Sequence, residues 1–302
     1  MFINTRLKNR EKQNLGKMFR KYEDSELKKL QSDMLTILAK LDELCQKHGI
    51  EYYAIGGTLL GAIRHKGYIP WDDDMDLGML YSDYQKFINI PEEEFKEYGL
   101  YAPEKNPGEY YSFVSKFYYK DSRFISPIAR ADGKEDMGIF VEVFPFYNVP
   151  ADNKKINSIK KKIEMIKALY TVSCCKKVIV FDEGIKGKIK YIQKAVIKAF
   201  CKIFRFTPKR LATKYDKILS KYKDDDTEFI VASADVFRVY KKNWLDQYTR
   251  VPFEEVTMPI PKGYKNYLKL VYGDDYMQLP PESGRWNQAA EYIRFIDGTE
   301  LE

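Results

Sequence analysis

Along the first third of the chain, apolar positions fall into two alternating rhythms. Leu27, Leu30, Met34, Ile37, Leu38, Leu41 and Leu44 recur at steps of three and four, which predicts an amphipathic helix from about Ser25 to Lys47. Asp24 or Ser25 can cap its start, and Gly49 can end it. The run IEYYAI predicts a short strand, broken by Gly56-Gly57, after which Thr58 can cap a short helix through Leu59, Leu60 and Ile63. From Asp74 to Met79 the chain alternates acid and apolar residue, as a half-buried strand does. Ser82 opens another helix, SDYQKFINI, and further strands are expected at Ser112–Tyr119 and Gly138–Phe146. Helical spacing then dominates as far as the turn Asp224-Asp225-Asp226, and Pro and Gly punctuate 228–302. The fold class expected is α/β (α+β). A loosely ordered lead (1–20) precedes a catalytic core (21–150), a basic helical insertion (151–220) and a C-terminal region (221–302) that returns to the active site.

Composition narrows this picture. With 302 residues and 44% apolar, the chain can build a sizeable core, and it holds no run of about 18 apolar residues that would span a membrane. The N-terminus is polar and lacks the apolar stretch of a secretory signal, so a cytoplasmic location is expected. Cys45, Cys174, Cys175 and Cys201 fit neither a zinc pattern nor a disulfide framework and read as reduced thiols. Only His48 and His65 occur, which excludes a multi-histidine metal site. The net charge of +7 is unevenly spread: Lys154–Lys214 carries 18 Lys and Arg against three acids, a net of +15, leaving the rest at −8.

Candidate chemistry lies in YAIGGTLLGAIRHKGYIPWDDDMDLGML, residues 53–80, where Asp72, Asp73, Asp74 and Asp76 crowd together. Like charges that close are tolerated only where water or a cation compensates. Side chains two apart on a strand share a face, so Asp74 and Asp76 would point the same way, about 7 Å apart along the strand. A Mg²⁺ ion (or Mn²⁺) can draw such a pair together, since it takes hard oxygen ligands and commonly phosphate as well. A solvated acidic turn explains an Asp-x-Asp too, but Met75 and Leu77 alternate with the acids and Trp71 precedes them. Gly56, Gly57 and Thr58 lie between a strand and a helix, where backbone N–H groups can approach an anion; a plain tight turn is the alternative. Neither a P-loop nor a Rossmann glycine pattern is present. A third acid, Glu142, stands inside the apolar run GIFVEVFPF, a costly place for a carboxylate that nothing uses.

A glycine turn, then Asp-x-Asp on one strand, then a lone acid on a later strand is the layout of a nucleotidyltransferase-like mixed-sheet core. The stretch GGTLLGAIRHKGYIPWDDDMDLGM resembles the hallmark of the LicD family of phosphotransferases, distant relatives of the fukutin-type enzymes. The likeness continues through SKFYYKDSRF, GIFVEVFPFYNVP and VPFEEVTMPIPKGYKNYLKLVYGDDYMQLPP, most of residues 30–285. It implies transfer of a phospho-alcohol (phosphocholine, or glycerol or ribitol phosphate) from a CDP-linked donor to a hydroxyl of a cell-surface glycan precursor, such as teichoic acid, capsule or lipopolysaccharide, with release of CMP. Asp74 and Asp76 then match the metal-binding pair. Glu142 stands where the family usually has Asp, as metal ligand or general base. Arg64, His65 and Lys66, eight to ten residues before the acids, together with Lys116 and Arg285, are expected to meet the substrate phosphates. After Pro281 the chain reads ESGRWNQ, where many relatives carry a basic residue and a histidine; Arg285 takes the basic place. Two other readings compete: an Asp-x-Asp glycosyltransferase using a nucleotide-sugar, and a non-enzymatic basic protein binding membrane or nucleic acid. The first would place a longer α/β region before the motif; the second leaves the acids unexplained, and nucleic acid is not an expected partner.

Within the basic segment, Lys186, Lys190, Lys194, Lys198 and Lys202 are spaced by four and form one stripe of a helix. Ile189, Ile192, Val196, Phe200 and Ile203 form a neighbouring apolar face. Such a helix either packs into the core with a solvated lysine face or lies, near residues 186–205, on an anionic membrane surface. The latter suits a lipid-linked acceptor at the inner face of the plasma membrane.

Overall fold

The computed structural model describes residues 22–134, 137–285, 287 and 290–301; the expected lead, 1–20, lies outside the described residues. Helix α1 (Asp24–His48) buries the apolar stripe its spacing predicts, and Gly49 ends it in the left-handed region at φ 59°. Its start differs from expectation: Glu23 is the cap, closing a reciprocal box with Glu26. In chain order there follow β1 (Tyr53–Ala54), α2 (Gly56–Arg64), β2 (Asp76–Leu80), α3 (Tyr81–Ile88), β3 (Tyr98–Tyr101), β4 (Ser115–Tyr119), β5 (Arg123–Ile125), α4 (Pro127–Asp132) and β6 (Phe140–Val149). The remainder comprises α5 (Asn153–Cys174), α6 (Gly184–Ile203), α7 (Pro208–Leu219), β7 (Phe229–Ala232), β8 (Arg238–Lys241), β9 (Tyr248–Phe253), β10 (Val256–Pro261), α8 (Tyr264–Tyr272), β11 (Tyr292–Arg294) and β12 (Glu300–Leu301).

The class is mixed α+β, as expected, with a mixed sheet at its centre. Strand β6 is the axis. It runs parallel to β2 on one side. Its other side pairs antiparallel with β4 along its first half and with β7 along its last. Its sequence FVEVFPFYNV is buried except for the half-exposed Asn148, the near-continuous apolar reading of a strand covered on both faces. The C-terminal part of the chain thus completes the central sheet through β7 and β8. A single apolar cluster reaches from Leu30 to Leu301, taking in Ile159, Ile163 and Ile166 of α5 and Leu211 and Tyr215 of α7.

Helix α6 is the exception. No described residue between 176 and 205 joins that cluster, and within α6 only Gly187 and Cys201 are buried. Of the two readings of this helix, burial of the apolar face in the core does not hold: that face is outward, while the lysines keep much of their exposure. Lys186 and Lys190 reach Asp182, and Lys194 and Lys198 donate to the carbonyls of Ile179 and Cys175, so the stripe leans over the 175–182 segment. Long lysine stems can cap backbone carbonyls while covering apolar surface, and the isoleucine face is left outward.

Candidate active site

The acids meet because of strand register. Asp76 pairs with Glu142 across the parallel β2–β6 ladder, and Glu142 pairs with Lys116 across the antiparallel β6–β4 ladder. Register partners share a face, so Asp76, Glu142 and Lys116 form one cross-strand row. All three are buried, at 1%, 2% and 0% exposure. Lys116 Nζ lies 3.1 Å from Glu142 Oε1 and over the rings of Phe140 and Tyr110, at 3.1 and 4.3 Å from their centroids. Burial alone would raise the Glu142 carboxyl, but the Lys116 ammonium beside it holds it below the ordinary value.

Asp76 makes no such ion pair among the described residues. Among the described residues neither of its carboxylate oxygens has a hydrogen-bond partner. Burial, then the charges of Asp74, Glu142 and Asp72, push its pKa well up. Its backbone is tightly held: its N–H donates to Thr58 Oγ at 2.8 Å, and its carbonyl accepts from Ile55 N–H at 3.1 Å. Thr58 is therefore not the cap expected of it. Helix α2 starts three residues earlier, with Ile55 as cap, and the Thr58 hydroxyl positions Asp76 instead. Strand β2 likewise begins at Asp76 rather than Asp74, because its ladder with β6 starts at Glu142. Asp74 lies in the loop before it, partly exposed. Asp72, also partly exposed, shares a hydrogen bond with Asp74, and burial followed by the charges of Asp74 and Asp73 raises its pKa.

The glycines serve this loop. Gly56 adopts φ 53°, open to glycine at little cost, and its N–H donates to the Tyr267 hydroxyl at 3.1 Å. At Gly57 a Cβ would meet the Asp72 carboxylate at 2.5 Å. The anion packed on this turn is thus the protein's own Asp72.

The expected phosphate contacts divide. Arg64 is anchored, its guanidinium donating to the carbonyls of Tyr276 and Gln278 at 3.0 Å each. The His65 ring stands edge-on to Trp71, and burial and the Arg64 charge lower its pKa. The Arg285 guanidinium covers the same indole at 4.7 Å, so His65, Trp71 and Arg285 gather beside the acid loop. Lys66 is exposed, with φ 60°, and its carbonyl accepts from Glu254 N–H. Lys116 is buried against Glu142 rather than presented to solvent.

A cavity of about 80 Å³ opens on Asp76 and Gly56, lined further by Asp235, Arg238, Tyr240, Tyr267 and Tyr272. None of these last five was singled out in the sequence. They come from the β7–β8 loop, β8 and α8, more than 150 residues away; Tyr267 and Tyr272 fall within the family-like stretch VPFEEVTMPIPKGYKNYLKLVYGDDYMQLPP, whereas no local signal marks Asp235, Arg238 or Tyr240. Burial raises the Asp235 carboxyl to about 6, against the opposing charge of Lys167.

A divalent cation fits what is present. Asp76 offers two buried oxygens without a hydrogen-bond partner among the described residues, and Asp74 two residues earlier bears directly on it. Glu142 is committed to Lys116, and among the described residues no group of three or more His, Cys, Asp or Glu is arranged to hold a metal. Two carboxylates with phosphate and water completing the shell suits Mg²⁺, which dehydrates reluctantly and is seldom caged by protein alone.

Residues 49–174 match the family described as LicD/FKTN/FKRP, nucleotidyltransferase domain. Over 262 residues the chain is 30% identical to the lipopolysaccharide cholinephosphotransferase LicD of Haemophilus influenzae, spanning 85% of this chain and 93% of that one. A stretch of 35 residues is 54% identical to the ribitol 5-phosphate transferase FKRP of human and of mouse, 12% of this chain and 7% of theirs. Among the described residues no helix is long and apolar enough to cross a membrane.

Proposed function

The chain belongs to the LicD family, and on that premise we propose that it moves a phospho-alcohol, phosphocholine first among the candidates, from a CDP-linked donor to a hydroxyl of a cell-surface glycan precursor. The observation that carries this reading is Asp76: a carboxylate buried to 1% with no hydrogen-bond partner among the described residues is a net cost to the fold unless a ligand uses it. In the reaction, the acceptor oxygen forms a bond to the phosphorus that bears the alcohol. The bond from that phosphorus to the bridging oxygen breaks, and CMP leaves with the electron pair. The acceptor proton passes to a carboxylate or to water.

Phosphoryl transfer is mostly positioning and charge stabilisation. Asp74 and Asp76 would hold Mg²⁺ or Mn²⁺, which when bound supplies countercharge to the diphosphate and to the leaving CMP. Thr58 and Ile55 fix the Asp76 backbone from both sides. Glu142, held ionised by Lys116, is suited to keep the row's charge in place, and its lowered pKa makes it a weak base. Arg238 on the cavity wall and Arg285 over Trp71 are the cations best placed to meet donor phosphates, with Arg64, His65 and Lys66 on the adjoining turn. Relatives that act on phosphocholine and on ribitol phosphate support the alcohol classes named, and the lipopolysaccharide acceptor of the first supports a glycan.

The test is a panel of CDP-choline, CDP-ribitol and CDP-glycerol with a glycan acceptor, following CMP release and the new phosphodiester by ³¹P NMR, with and without EDTA. Metal-dependent CMP release from one donor, lost in Asp76→Asn, is expected. Release of a nucleoside diphosphate from a nucleotide-sugar instead would favour glycosyl transfer. No turnover of any donor, with basic-segment binding intact, would favour a non-enzymatic binder.

A further inference from the structure

Helix α6 carries an apolar face that the protein leaves uncovered. Ile185, Ile189, Ile192, Val196, Phe200 and Ile203 are exposed by 79, 52, 61, 63, 43 and 73%. At 100° per residue these six lie on one side of the helix, opposite Gly187 and Cys201, the two buried positions. The face therefore points directly away from α5, against which α6 packs. Contiguous exposed apolar surface of this kind marks an interaction site.

Charge decides what covers it. Exposed Lys188 and Lys202 border the face on one side and Lys186 on the other, and the segment 154–214 has a net charge of +15. A second copy laid on the face would bring two such segments together, and like charges disfavour that. A nucleic acid would match the charge but gains little from isoleucines. We propose that α6 lies flat on an anionic lipid bilayer, its isoleucine face entering the boundary between headgroups and acyl chains and its lysines meeting lipid phosphates. Twenty residues give it a length of about 30 Å along the surface. One feature fits this use: Lys190, Lys194 and Lys198 brace α6 onto the 175–182 segment and leave its isoleucine face outward. The inference is independent of the donor chemistry proposed above.

The experiment is co-sedimentation of the full chain with vesicles of phosphatidylglycerol and phosphatidylcholine, and with pure phosphatidylcholine, at low and high salt. The wild type should partition onto the anionic vesicles at low salt, and at least tenfold less onto the neutral ones or at high salt. Val196→Glu and Ile192→Glu should each lower partitioning about tenfold or more, from the lost transfer of a branched side chain, with an unchanged melting temperature because both sites are exposed. Lys188→Gln and Lys202→Gln should each lower it about fivefold. A wild type that stays in the supernatant at low salt overturns the proposal. So does anionic binding that Val196→Glu leaves intact, which would point to a purely electrostatic site such as one for nucleic acid. A dimer dissociated by Val196→Glu, without vesicle binding, would assign the face to a second copy.

Discussion

Replacing Lys116 by Met tests whether the Asp76–Glu142–Lys116 row is the electrostatic core of the site. Met keeps most of the volume, so the change is mainly one of charge. In the wild type the pair is 3.1 Å apart with side chains exposed by 1% and 2%. At an effective dielectric of 20 that separation corresponds to about 5 kcal/mol of attraction. Removing one partner of such a buried pair costs about 3–5 kcal/mol, because the other charge is left uncompensated. The lost contact with the Phe140 face adds about 1–2 kcal/mol, which the methionine sulfur partly restores. A fall in melting temperature of about 10 °C is therefore expected in EDTA at neutral pH. The pH dependence gives the sharper signature. With Lys116 present, Glu142 titrates below its ordinary value, so its contribution is present above the unfolded pKa and lost as pH falls through the folded one. Without Lys116, burial and the Asp76 charge carry Glu142 above its ordinary value. The variant then regains stability as pH falls and loses it as pH rises. The gap between wild type and Lys116→Met should thus be widest at pH 7 and narrow toward about pH 4. Lys116→Met with Glu142→Gln should recover much of the loss. Melting curves of the four proteins across that range decide the matter: a deficit under about 0.5 kcal/mol at pH 7, or one that does not change with pH, would refute the reasoning.

Asp76→Asn should abolish transfer while leaving the fold as stable as the wild type or more so, since a buried carboxylate with no hydrogen-bond partner among the described residues destabilises; turnover and denaturant midpoint measured on one preparation would show the opposed signs. Asp74→Ala should also abolish transfer, and Asp72→Ala should reduce it less, as seen in CMP release. Mg²⁺ should raise the melting temperature of the wild type but not of Asp76→Asn, by mass action on the folded state alone. Glu142→Gln should cut turnover at least tenfold and, if Glu142 only holds the row in place, leave donor affinity by calorimetry within about twofold. Gly57→Ala should cost about 1–3 kcal/mol and lower turnover about as far as Asp72→Ala does, because its Cβ would displace the Asp72 carboxylate 2.5 Å away; a variant as stable and as active as the wild type would detach that loop from the site.

Local pattern was sufficient for several features. The α1 stripe, its Gly49 end and the lone acid in GIFVEVFPF follow from side-chain periodicity and from the cost of burying charge, both of which act over a few residues, whereas the alternation from Asp74 to Met79 predicted a half-buried strand that proves to start at Asp76 and to be buried on both faces. The family hallmark in residues 56–79 is equally local. Contacts between distant segments were decided only by the tertiary structure. That Lys116 faces Glu142 and Glu142 faces Asp76 depends on strand register, which hydrophobic patterning shows for each strand but not between strands. Thr58 reads locally as a helix cap, yet its hydroxyl serves Asp76, eighteen residues on, because α2 starts at Gly56. Arg238 reaches the cavity because β7 joins β6 and β8 pairs with β7, and Tyr267 and Tyr272 because α8 packs on α2, neither of which a short-range signal encodes. In α6 the lysine stripe and the isoleucine face were both legible, but not which of them turns outward. That depends on what lies alongside the helix: the 175–182 segment offers carbonyls and an aspartate that hold the lysines, which turns the isoleucines away from it.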